Sequence, residues 1–176
     1  KIGFFPCLIL VVVISYIWMA AVIPDSSHDG LAVHLAIPKI FQLNKFWEYN
    51  VNDYIWAVQP FTAQWLFSFL FFFGGEPAVK IFQGILLILL TFYSFKFFKE
   101  KSFNDELALA ASLFAISLPI SLTLIQSLHV DIIHAFLITA LFFEILKNER
   151  NWKIISILTG ISFSIKSSTV LLIPLL

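Results

Sequence analysis

Three ionisable side chains stand at the edges of long apolar runs. Asp29 follows the run 4–23, Asp131 lies at the start of the run 130–146, and Lys166 follows the run 154–165. Two carboxylates and an ammonium are the parts of a site that removes a proton and holds an anion. A carboxylate beside an apolar slab gains proton affinity by desolvation, which suits a general base. A lysine in the same setting can hold a phosphate by charge. Plainer readings compete with each. Asp29 also fits a helix N-cap, and Asp131 fits a cap at the start of its own run. Lys166 fits a lysine whose stem lies along apolar surface while its head reaches water.

Other polar residues gather near the first of these. The stretch PDSSHDGLAVHLAIPK, residues 24–39, holds Asp25, His28, Asp29, His34 and Lys39. Asp25 reads as a solvated loop residue. His28, His129 and His134 read as packed or interfacial side chains. His129 and His134 are five positions apart, which is not the one-face spacing of a helical metal pair. The single cysteine, Cys7, lies within an apolar run, so an internal disulfide and a cysteine-based metal site are both ruled out. No metal ligand set is expected, and dependence on a divalent metal stays open. Glu144, near the end of its run, is expected to reach water.

Composition says what kind of elements must position these groups. The chain has 176 residues, of which 60% are hydrophobic and 12% charged, and its mean hydropathy is +0.92. A soluble domain averages roughly 45–50% apolar and about 25% charged residues. A small domain also leaves much of its surface in water. The expected class is therefore an all-α integral membrane protein. In such a setting an ionisable residue inside a span costs about 2.5–3.5 kcal/mol on insertion scales. Formal net charge is zero, which gives no sign of a nucleic-acid partner.

The expected spans cover 4–23, 78–98, 107–125, 130–146 and 154–165, with a further one starting near 168. The first is 20 residues long. That exceeds the roughly 7–15 apolar residues of a signal peptide and reads as a retained helix. Tyr16 and Trp18 sit where interfacial aromatics would. The segment 24–77 is the first loop. Within it, apolar spacing from Asp29 to Phe46 predicts a helix lying along the membrane surface. FTAQWLFSFLFFF, 61–73, is 13 residues long, ends at Gly74-Gly75 and predicts a second surface helix. Pro119 should kink or end the third span. The chain lacks an initial Met and stops inside an apolar run, so it reads as the N-terminal part of a longer protein, truncated at both ends.

Lysine and arginine bias sets the orientation. Lys96, Lys99 and Lys101 flank one turn, and Lys147, Arg150 and Lys153 flank another. The positive-inside rule puts both turns in the cytoplasm. Asp29, Asp131 and Lys166 then share the outer face.

The order of these features resembles a known family. DGLAVHLAIPKIF (29–41) resembles the D-x-L-x-Y-H-L-x-x-P-K segment of polytopic glycosyltransferases of the GT-C class. The nearest resemblance is to bacterial members of the dolichyl-phosphate-mannose–protein mannosyltransferase superfamily, the family 39-like enzymes. VQPFTAQWLFSFLFFFGGEPAVKIFQGIL (58–86), LHVDIIHAFLITALFFEIL (128–146) and LTGISFSIKSSTVLLIPLL (158–176) resemble the blocks that follow, in order. Val33 stands where the family has Tyr, Phe61 replaces the second Pro of a Pro pair, and Ser164 replaces a second Gly.

The resemblance implies a GT-C-like helical bundle with interfacial helices in the first outer loop. It implies transfer of a sugar from a polyprenyl-phosphate donor to an acceptor hydroxyl, with inversion. Asp29 would be the general base, and Asp131 would orient the acceptor or tune Asp29. Lys166 would bind the donor phosphate, with His34, Lys39 and Gln59 as weaker candidates. The implied partners are membrane lipid, the lipid-linked donor and a glycan, lipid or protein acceptor. The implied location is a multi-pass place in the bacterial inner membrane, with the site facing out. Two other classes compete: a polytopic transporter, and a non-catalytic subunit with the same fold.

Overall fold

The computed structural model describes residues 4–45 and 62–175. The described residues are helical, with no strand among them. Helix α1 spans Phe4–Val22. A five-residue π-helical turn, Gly30–His34, leads into α2, Ala36–Asn44. Helix α3 runs over Thr62–Glu100, α4 over Asp105–Ser117, α5 over Pro119–Gln126, α6 over Asp131–Ile145 and α7 over Trp152–Ile165. A 3₁₀ segment, Ser167–Leu175, follows.

Helix α3 is the spine of the fold. It packs against α1, α2, α4 and α6, with smaller contacts to α5 and α7. Its 39 residues are two legs joined at a break. Gly75 has φ 64° and ψ −159°, a conformation open essentially to glycine alone. Pro77 then sits in the first turn of the second leg, where its missing N–H costs nothing. The surface helix expected over 61–73 therefore appears as a first leg, ending where the glycine pair stands. Its side chains divide cleanly. Ala63, Gln64, Phe67 and Ser68 are buried, while Trp65, Phe69, Phe72 and Phe73 are exposed.

The surface helix expected from Asp29 to Phe46 is divided as well. Leu35 N–H bonds the Gly30 carbonyl at 2.7 Å, five residues back, and this wider turn interrupts the α-helical register. Helix α2 then stops at Lys45, which takes the left-handed conformation at φ 64°. Pro119 ends α4 as expected. Leu118 is extended there, and the α4 and α5 axes bend by 51° across it.

A large apolar cluster joins α1, α3, α6 and α7. Val13, Ile17 and Ala20 of α1 recur at helical spacing and meet Phe67, Val79, Leu86, Leu87 and Leu90 of α3. Ile132 and Ile133 of α6 and Ile165 of α7 close it. The opposite face of α1 leaves Val11, Val12, Trp18, Met19 and Val22 exposed. Among the described residues one helix, α3, is by itself long and apolar enough to cross a membrane.

The end that carries the lysine-rich turns has its own contacts. Phe97 and Phe143 stack with centroids 4.0 Å apart, and Tyr93 stacks on Phe143. Glu144 does not reach water. It is 5% exposed, accepts the Tyr93 hydroxyl at 3.1 Å and pairs with Lys147. That pairing raises the Lys147 pKa. Lys101 donates to the Leu146 carbonyl at 2.9 Å. Asn104 caps α4 and Asn151 caps α7, each accepting backbone N–H bonds from the first turn. Tyr16 joins two helices of the bundle. Its hydroxyl donates to the Leu122 carbonyl at 3.2 Å, joining α1 to α5.

Two glycines offer a test of this packing. A Cβ on Gly84 would lie 2.4 Å from Ile17 Cγ2, whereas one on Gly160 would meet nothing within 4 Å. Gly84→Ala should lower stability by about 1–3 kcal/mol through overpacking of α1 against α3. Gly160→Ala should leave stability unchanged or raise it by about 1 kcal/mol through helix propensity. Thermal unfolding of the two variants in detergent micelles measures the contrast.

Candidate functional site

At the other end of the bundle, the turn after α1, the break in α3, the α5–α6 corner and the end of α7 meet. The 24–34 segment touches the corner at two places. Ser27 Oγ donates to the Ser127 carbonyl at 3.4 Å. The His34 ring lies edge-on to His129, with centroids 5.8 Å apart.

Asp131 opens α6, where a negative charge is favoured by the helix dipole. Val130, not Asp131, holds the N-cap position, so the capping reading places Asp131 one residue off. Its carboxylate turns instead to Lys166, 35 residues away, with an Nζ–Oδ1 distance of 2.6 Å. His129 Nδ1 stands 3.7 Å from the other carboxylate oxygen. Lys166 can reach because the chain becomes extended at the end of α7, with φ −148° and ψ 120°. Lys166 is thus held by a specific carboxylate while remaining partly exposed. Thr169 supports it from behind, donating to the Lys166 carbonyl at 2.8 Å. Thr169 Oγ1 also lies 2.8 Å from His134 Nε2.

Asp29 stands on the rim. Its side chain is 61% exposed, with His28 Nδ1 3.5 Å away. It precedes the π-helical turn but forms no side-chain cap bond, so the capping reading fails on geometry. Asp25, expected to be solvated, is the buried member of the pair at 6% exposure. Its Oδ1 accepts the Ser27 N–H at 2.8 Å.

His34 carries the burial that a base at an apolar boundary would have. It is 8% exposed. Gln64 Nε2 lies 3.3 Å from its Nδ1, and Phe67 packs edge-on against the ring. Burial pulls its pKa down to about 4, helped by His129 and opposed by Asp29, Asp131 and Asp25. At neutral pH His34 is therefore uncharged and acts through hydrogen bonds. Lys39 is exposed on α2, and no hydrogen bond or ion pair among the described residues ties its side chain to the cluster. Gln59 lies outside the described residues.

Sequence reasoning missed four polar side chains on α3. Gln64, Lys80 and Gln83 are buried, and Glu76 is half-buried. Gln83 donates to the His129 carbonyl at 2.5 Å and so fixes the corner that carries Asp131. Gln64 Oε1 and Gln83 Oε1 have no hydrogen-bond partner among the described residues. The signal was present. Positions 76, 80 and 83 follow i, i+4, i+7 and mark one helix face, but a strongly apolar run hides a thin polar stripe.

No group of three or more His, Cys, Asp or Glu side chains arranged to hold a metal occurs among the described residues. No protein-family profile, curated protein or solved structure matches the chain.

The arrangement combines an exposed carboxylate, a second carboxylate paired with a half-exposed lysine, and a buried neutral imidazole. The Asp131–Lys166 pair is accessible enough to open for an incoming anion at small cost.

His34 gives the site a pH signature. In the unfolded chain a histidine binds its proton near pH 6.5, whereas folded His34 does so only near 4. Between those values the unfolded state holds more protons. The stabilising contribution is complete above pH 6.5 and is lost as pH falls toward 4. The difference in thermal midpoint between wild type and His34→Gln, scanned from pH 7.5 to about 4, should narrow on acidification.

Proposed function

We propose that the chain is part of a multi-pass membrane glycosyltransferase that takes its sugar from a polyprenyl-phosphate donor. The observation that carries this reading is the Asp131–Lys166 pair, set beside the loop that bears Asp29. An exposed carboxylate on a loop docked at the corner that bears Asp131, with a lysine there that can hold phosphate, meets the needs of displacement at a sugar–phosphate bond. Further support comes from the ordered resemblance to GT-C enzymes and from the largely apolar exposed face of α1. Apolar surface of that kind belongs against lipid or another protein. The site end lies opposite the lysine-rich turns, so the positive-inside rule favours an outward-facing site.

In this mechanism the acceptor hydroxyl oxygen attacks the anomeric carbon. Asp29 takes the hydroxyl proton as the new C–O bond forms. The bond between the anomeric carbon and the phosphate oxygen breaks, and the lipid phosphate leaves with the electron pair. One displacement inverts the anomeric centre. Lys166 leaves Asp131 to hold the phosphate as its charge grows. Asp131, released, is free to accept a hydrogen bond from the acceptor. His34, being neutral, contributes a hydrogen bond rather than a charge.

Asp29→Asn should lower transfer by about 10²–10⁴-fold, the range for loss of a general base, with unchanged protein in the membrane. Lys166→Met should weaken use of the donor. Transfer from a radiolabelled polyprenyl-phosphate sugar, with membrane vesicles of each variant, measures both. Wild-type transfer in Asp29→Asn would overturn the assignment, and solute uptake by liposomes carrying the protein would favour a transporter.

A further inference from the structure

The chemistry above makes no use of the buried ion pair on α3. Glu76 opens the second leg, directly after the Gly74–Gly75 break. Lys80, one turn on, is wholly buried and pairs with it at 2.7 Å. Together the two side chains grip the chain where it leaves α1. The Lys80 ammonium donates to the Ile23 carbonyl, and Glu76 Oε1 accepts the Asp25 N–H at 2.5 Å. Both are charge-assisted bonds to backbone, the stronger kind.

From Asp25 the contacts run on toward Asp29. Asp25 Oδ1 accepts the Ser27 N–H at 2.8 Å, and Ser27 Oγ accepts the Gly30 N–H at 3.0 Å. Ser27 Oγ also donates to Ser127 on the corner that carries Asp131. Asp25 Oδ2 fills the space over Gly30, where a Cβ would lie 1.7 Å from it. Any other residue there would have to displace the Asp25 and Ser27 side chains. Asp29 sits between Ser27 and Gly30 and has no cap bond of its own. Its place is set by its neighbours.

We infer that Glu76 and Lys80 are positioning residues for Asp29, their buried pair holding the 23–30 turn that carries it against the corner that bears Asp131. The inference rests on the reading of Asp29 as the base. It also explains why an ammonium is kept in the interior. A neutral side chain would hold the Ile23 carbonyl more weakly and could not balance Glu76.

Removing one partner alone would strand a buried charge and could unfold the protein. The test therefore changes both. Two double variants, Glu76→Ala with Lys80→Met and Glu76→Gln with Lys80→Met, are prepared as the full chain in lipid nanodiscs. Amide hydrogen exchange is followed in the 23–30 peptide, and kcat and KM for the lipid-linked donor are measured separately. The alanine version should exchange about tenfold faster over 23–30, with the second leg of α3 still protected. Its kcat should fall about 100-fold while donor KM moves little, as expected when a base is misplaced. The glutamine version keeps an acceptor for the Asp25 N–H and should regain part of both. Unchanged exchange over 23–30 in the alanine version would overturn the inference. So would faster exchange with wild-type kcat. Faster exchange in a protein whose wild type transfers no sugar would support the grip on the turn and overturn the transferase reading instead.

Discussion

An ammonium group buried in an apolar helix must find its partners where it stands, because desolvation without them costs several kcal/mol. Lys80 meets this condition with Glu76, one turn earlier, and with the Ile23 carbonyl. The consequences spread outward. A carbonyl near the end of α1 is committed to α3, and so the two helices are fixed at that end. Glu76 can serve because the helix restarts beside it, after a glycine pair that no other residue could replace without strain at Gly75. The break, the ion pair and the docking of α1 form one arrangement. The geometry of the site end depends on it.

The polar chemistry lies where helices end. Mid-helix backbone groups bond one another, so an apolar bundle has little to offer there. At ends, carbonyls and N–H groups need partners. Ser27, Gln83 and Lys80 each take a backbone carbonyl left at such a place: Ser127, His129 and Ile23. These bonds hold three chain segments against one another. The two ends of the bundle then differ in kind. One closes on a stacked aromatic cluster with Glu144 buried beneath Lys147. The other leaves Asp131, Lys166 and Asp29 accessible.

Much of the fold is legible in the sequence. The apolar runs marked the helices at 4–23, 78–98, 130–146 and 154–165, because a helix that faces apolar surroundings on every side needs no amphipathic pattern. Gly74-Gly75 and Pro119 marked the breaks, because their backbone chemistry acts locally. The π-helical turn at 30–34 was not legible. It depends on Gly30 packing under Asp25, a contact that local propensity does not describe. Glu144 was expected in water and is buried, since Tyr93 and Lys147 supply its partners from a neighbouring helix and a following turn. In the site, residue type pointed to Asp29, Asp131 and Lys166. It did not show that Asp131 and Lys166 pair, that His34 is neutral, or that Asp25 rather than Asp29 is buried.

By itself the sequence determined the helical class, the breaks and the residue types able to do chemistry at one end. Those follow from hydropathy, glycine and proline, which act over a few residues. The tertiary structure decided which polar groups meet. Asp131 with Lys166, His34 with Gln64, and Glu76 with the Asp25 backbone are separated by 35, 30 and 51 positions. Partners so far apart are chosen by how helices pack around α3. Packing is a property of the whole bundle, because these polar groups meet only when every neighbouring element is in place.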